Sequence, residues 1–155
     1  ALTMVLRHHG IEVEVPEVAR AVYDPSYGGC GNWSLNVAHA ADRGLDAVVT
    51  RLRGLADAAE LLRAGLPVIA SIAAGPGELP GFPLPGGTAG HLVVVAGITD
   101  DGDPVVLDPA APNAATVRRV YPRAAFDAAW VGGTGGIAYV LRPPAHRLPP
   151  GEGRW

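Results

Sequence analysis

The chain has 155 residues, a net charge of −3 and no lysine, and its 12 basic residues are scattered arginines apart from the pair Arg118-Arg119. This is a poor footprint for nucleic-acid binding, and no apolar run approaches the ~18 residues of a membrane span. Hydrophobic residues make up 48%, which fits a globular protein. The length fits one domain that buries about 68–70% of its unfolded surface. The single cysteine, Cys30, cannot close an internal disulfide and leaves the redox compartment open. Residues 1–20 lack the basic start and apolar middle of a signal peptide.

The first predicted element is a helix on Leu2, Val5 and Leu6, stopped at His9-Gly10. A second helix opens at Pro16 and carries Val18, Ala19 and Val22. The glycine-rich stretch Asp24 to Gly31 reads as irregular. Asn32 is the expected N-cap of a third helix, from Trp33 to about Arg43, with Gly44 as its stop. Asp46 to Leu52 reads as a strand. Leu55, Ala58, Ala59 and Leu62 make the apolar stripe of a fourth helix, ended by Gly65.

Beyond this point the period changes. Pro67 to Ile72 is a short apolar strand, and residues 74–90 form a long loop rich in glycine and proline. Loops of that length inside a compact domain are usually functional or disordered. His91–Ile98 and Val105–Asp108 read as strands buried on both faces. A strand at Val117–Tyr121, a helix from Pro122 bearing Phe126, Ala129 and Trp130, and a strand at Gly136–Leu141 complete the layout. Helices first, then an antiparallel sheet, define an α+β fold.

His91 opens one apolar strand and Asp108 closes the next. Histidine and aspartate are the polar members of a nucleophile–His–Asp triad. Asp-Pro after a strand is also a common turn starter, so the two gain meaning only together. A tight turn on Asp101-Gly102 would set Asp108 opposite Val95, ~13 Å along the strand from His91 at ~3.3 Å per residue. Direct opposition of His91 and Asp108 needs a reversal near Thr99-Asp100, with a bulge or wider loop. Either register puts both residues on one face, because strand pleating has period two. Cys30 lies two residues before the N-cap Asn32, where a thiolate is favoured, but a small residue in a glycine turn is the simpler reading. His8-His9, His39 and His146 lack zinc-ligand spacing. Asp100-Asp101-Gly102-Asp103 lacks the glutamate of a calcium loop.

The sequence resembles family thirty-nine of the clan CA cysteine peptidases, papain-like enzymes named for bacteriocin leader-peptide processing. The resemblance runs from Ala1 to about Pro143. It rests on Thr3-Met4-Val5-Leu6 ending in His9-Gly10, on Gly31-Asn32-Trp33, on Val49-Thr50-Arg51-Leu52-Arg53, on Gly65-Leu66-Pro67-Val68-Ile69, on Gly90-His91-Leu92-Val93-Val94-Val95 and on Asp108-Pro109. It implies a papain-like α+β domain over 1–143, an irregular Pro/Gly-rich tail over 144–155, and no cofactor or metal.

The family's nucleophilic cysteine opens the first helix, and Ala1 to Leu6 is similar to the segment directly after that cysteine motif. The resemblance therefore implies a nucleophile a few residues before Ala1, with an oxyanion-hole glutamine just upstream of it. His91 matches the general base and Asp108 the residue that orients it. At Cys30 the relatives carry other small residues. The implied activity is hydrolysis of a peptide or protein substrate, with the 155-residue chain alone inactive. The similar stand-alone members are bacterial and often secreted, which implies an extracellular or cell-envelope location and a signal peptide upstream. Two other readings share these features: an acyl or amide transferase on the same scaffold, and an inactive module that holds a peptide.

Overall fold

The computed structural model describes residues 1–151 and 153–155. Three helices come first: α1 (Leu2–His8), α2 (Val15–Ala21) and α3 (Trp33–Asp42). Next come β1 (Asp46–Arg51), α4 (Leu55–Arg63), β2 (Val68–Ala74), β3 (Thr88–Ile98), β4 (Pro104–Leu107), β5 (Arg118–Val120), α5 (Arg123–Asp127) and β6 (Ile137–Arg142). The strands form one six-stranded sheet in the order β1-β6-β2-β3-β4-β5. Every neighbouring pair is antiparallel.

The central strands β2 and β6 are buried on both faces. On one face, Val5, Leu6, Val18, Val22 and Ala40 of the first helices and their flanks pack on Ile69, Val94, Tyr139 and Leu141. On the other, Leu55, Ala58 and Leu61 of α4 join Phe126 and Trp130 over Val68, Ala70, Val93, Val95 and Val106. Adjacent residues of β2 and β3 thus feed opposite cores, which is why both read as continuous apolar runs.

Local chemistry explains the element ends. Asn32 accepts a hydrogen bond from the Ser34 amide at 3.1 Å and caps α3. In α4 the buried line runs through Leu61 rather than Ala59 and Leu62, and Asp57 is buried with it. The Asp57 carboxylate accepts from the backbone and guanidinium of Arg53, so the helix can turn this polar position inward.

Three expectations need correction. β3 begins at Thr88, so His91 lies inside the strand and the irregular segment narrows to residues 75–87. That segment is tied down: Leu79 is buried, and Arg119 donates to the Gly81 carbonyl at 2.7 Å. The strand after residue 117 shrinks to β5, behind a 3-10 turn at Ala114–Thr116. The helix after Pro122 widens into a π-helical segment over Ala128–Gly132. There the Trp130 indole donates to the Ile137 carbonyl at 2.8 Å. Gly136, at φ +74°, turns the chain into β6 where the Leu52 carbonyl leaves no space for a Cβ. The described residues beyond Pro143 form no helix or strand, but His146 bonds the Ala64 carbonyl at 2.7 Å and Trp155 packs on the larger core.

Candidate active site

β3 and β4 bring the two singled-out polar residues together. His91 Nε2 lies 2.7 Å from Asp108 Oδ1. The register comes from two departures from a tight hairpin. The reversal spans Thr99 to Asp103, with the Thr99 amide bonded to the Asp103 carbonyl at 2.8 Å. An irregularity between Val95 and Gly97 then shifts the pairing, so Val95 faces Val106 and Val94 faces Leu107. Carried one residue further, this sets Asp108 across from Val93. His91 and Asp108 are therefore diagonal neighbours on one face, within reach of a long side chain. Neither direct opposition nor the tight-turn alignment with Val95 occurs.

The pair runs inward from the surface. The His91 side chain is 15% exposed and that of Asp108 is 0% exposed. The buried carboxylate is satisfied on both oxygens. Oδ1 also accepts from the Ala110 amide at 2.9 Å, and Oδ2 accepts from the Tyr121 hydroxyl at 3.2 Å. Burial alone pushes the Asp108 pKa up; hydrogen bonds from His91, Ala110 and Tyr121, with the charge of His91, outweigh it and hold the pKa below the usual aspartate value. The ring of Phe82 meets that of His91 edge-on, centroids 5.7 Å apart.

His91 borders a cleft of about 650 Å³. Its helical wall is made by Ala1, Val18, Val22 and Trp33, and its sheet wall by Ser71, Gly90 and Ile137. Ala1, Leu2 and Thr3 line the same cleft as His91, so the start of α1 lies in its wall. With Nε2–H donated to Asp108, Nδ1 is the imidazole nitrogen left to accept a proton from a group in the cleft.

Cys30 also borders this cleft. Its exposed thiol donates to the Ala19 carbonyl at 3.4 Å. Tyr121 and Phe82 escaped sequence reasoning. Each is one aromatic in an apolar context, and only the tertiary fold sets it against Asp108 or His91. Among the described residues no cluster of metal-ligating side chains occurs, and no helix is long and apolar enough to cross a membrane.

Helices on one side of a cleft, an antiparallel sheet on the other and a His–Asp pair on the sheet wall make this a papain-like α+β fold. The chain matches the Peptidase_C39 like family over residues 1–136 and belongs to that family. Among solved structures it is similar to a crystal structure described as a C39-like peptidase from Bacillus anthracis, with a TM-score of 0.63 and 18% identity. The match covers 96% of this chain and 87% of that one; at this identity the likeness is one of fold. No curated protein matches the chain.

Proposed function

We propose that the intact protein is a cysteine peptidase that hydrolyses peptide bonds in a peptide or protein substrate. His91 is its general base, Asp108 orients His91, and the nucleophilic thiol comes from the residues that precede Ala1. One observation carries this reading: the 2.7 Å His91–Asp108 bond stands in the wall of the cleft that also holds the start of α1.

The chemistry rests on this geometry. Nδ1 of His91 takes the thiol proton, and the thiolate adds to the substrate carbonyl carbon. The imidazolium gives its proton to the leaving amine as the C–N bond breaks, which leaves a thioester. His91 then deprotonates a water that attacks the thioester, and the acid departs as the thiol regains its proton. Throughout, the ionised Asp108 holds the Nε2–H and stabilises the imidazolium.

The test uses the natural protein, with the residues that precede Ala1. It should cleave a fluorogenic peptide and be labelled at an upstream cysteine by an epoxide thiol probe. His91→Ala should slow both strongly. The 155-residue chain alone should show no turnover. Tight peptide binding without turnover in the natural protein would replace this reading with that of a peptide-holding module.

A further inference from the structure

Behind the His91–Asp108 pair, away from the cleft, stands Tyr121. Its side chain is 1% exposed and its hydroxyl donates to Asp108 Oδ2. Burial, reinforced by the adjacent carboxylate, pushes the phenol far above its ordinary pKa. Tyr121 therefore stays protonated and is a permanent donor to Oδ2. The ring itself is held. It stacks on Phe126 at 6.2 Å and 13° between planes. Phe126 packs on Trp130 at 5.8 Å, and Trp130 is bonded to the backbone of Ile137, a residue of the cleft wall.

A carboxylate needs such a partner here. The aspartate χ2 torsion is soft and roughly two-fold. His91 Nε2 and the Ala110 amide both address Oδ1, so Oδ2 would be left in the core without a donor. An unsatisfied buried oxygen is costly. The carboxylate would then turn to share its donors, and the bond to His91 would loosen.

We propose that Tyr121 is a positioning residue of this pair: its hydroxyl locks the Asp108 carboxylate in the rotation that presents Oδ1 to His91, and so fixes the imidazole as the Nε2–H tautomer with Nδ1 free toward the cleft. The effect on turnover rests on the peptidase reading; the effect on tautomer does not.

The deciding variant is Tyr121→Phe, which removes one oxygen and keeps the ring. In the natural protein, nitrogen NMR of the histidine rings should show His91 as the Nε2–H tautomer in the parent and a mixture of tautomers in the variant. The Asp108 carboxyl should titrate higher, as expected when a carboxylate loses a donor. Peptide turnover should fall about tenfold in kcat with KM unchanged, the scale of one hydrogen bond to a charged group. Leu61→Ala, on α4 in the same core, controls for stability: it should lower the melting temperature and leave the tautomer and the Asp108 titration in place. If Tyr121→Phe does not fold, 3-fluorotyrosine at position 121 keeps the shape and donates more strongly, and should move the Asp108 titration downward.

An unchanged His91 tautomer in folded Tyr121→Phe, or the same disturbance in Leu61→Ala, overturns the proposal; so does an unmoved Asp108 titration with the fluorotyrosine. A tautomer mixture in Tyr121→Phe supports it even if the parent proves inactive, in which case the peptidase reading alone fails.

Discussion

His91 reaches Asp108 diagonally across β3 and β4, Nε2 to Oδ1 at 2.7 Å, from a ring at the cleft rim to a carboxylate wholly inside the core. The charge that orients the imidazole is therefore shielded from solvent. Asp108→Asn keeps the shape and removes the charge, and its amide can offer His91 a donor where an acceptor is needed. In the natural protein this should cut kcat by about 100-fold or more, on the scale of carboxylate loss in other triads. Stopped assays against a fluorogenic peptide, with melting curves to confirm folding, measure it. A variant within threefold of the parent would remove Asp108 from the mechanism.

The same carboxylate sets an acid limit on stability. Its folded pKa lies below its unfolded value near 3.8. The stabilisation is thus complete above the unfolded pKa and is lost as pH falls through the lowered folded one. Asp57, held low by the hydrogen bonds of Arg53, acts in the same window and direction. Melting temperature should fall steeply on acidification below about pH 4. Asp108→Asn should be less stable at neutral pH and show a shallower acid limb. Equal acid slopes in parent and variant would show that Asp108 titrates alike in both states.

The shared face of His91 and Asp108 was legible because strand alternation fixes it in any register. Their separation was not. Asp101-Gly102 carries the chemistry of a tight turn, yet Thr99 closes a wider loop by accepting the Asp103 amide on its own hydroxyl at 3.1 Å. The irregularity at Ala96 has no residue signature at all. The cap at Asn32 was readable because its bond to Ser34 is local. The Tyr121–Asp108 bond was not, since β4 and β5 must pair before those residues meet. The extent of β3 was masked for a related reason: Thr88 pairs with Ala74 across an irregularity, in a stretch whose glycine and proline content reads as loop.

Gly136 offers a test of the fold itself. Its φ of +74° disfavours any side chain, and a Cβ there would drive into the Leu52 carbonyl oxygen. The Leu52 amide also donates to the Gly136 carbonyl at 2.9 Å, so the two segments cannot simply part. Gly136→Ala should lose about 3 kcal/mol, at the upper end for a point substitution. Urea unfolding gives the value. A loss under about 1 kcal/mol would mean that the chain entering β6 relaxes more freely than this close approach implies.

Cys30 is the one thiol in the sequence, and its setting argues against a nucleophilic role. Its S–H is spent on the Ala19 carbonyl, and its own carbonyl accepts from the Asn36 side chain at 3.0 Å. Among the described residues no hydrogen bond joins it to His91, whose Nε2 is committed to Asp108. A nucleophile needs the base within hydrogen-bond reach of its proton. Cys30→Ala in the natural protein should therefore keep peptide turnover within about twofold, as for a surface substitution outside the machinery. Labelling separates the thiols further. Mass spectrometry after an epoxide probe should find slow modification of exposed Cys30 that His91→Ala leaves unchanged, and fast modification of an upstream cysteine that His91→Ala suppresses. Loss of turnover in a folded Cys30→Ala protein, or Cys30 labelling that depends on His91, would make Cys30 the nucleophile.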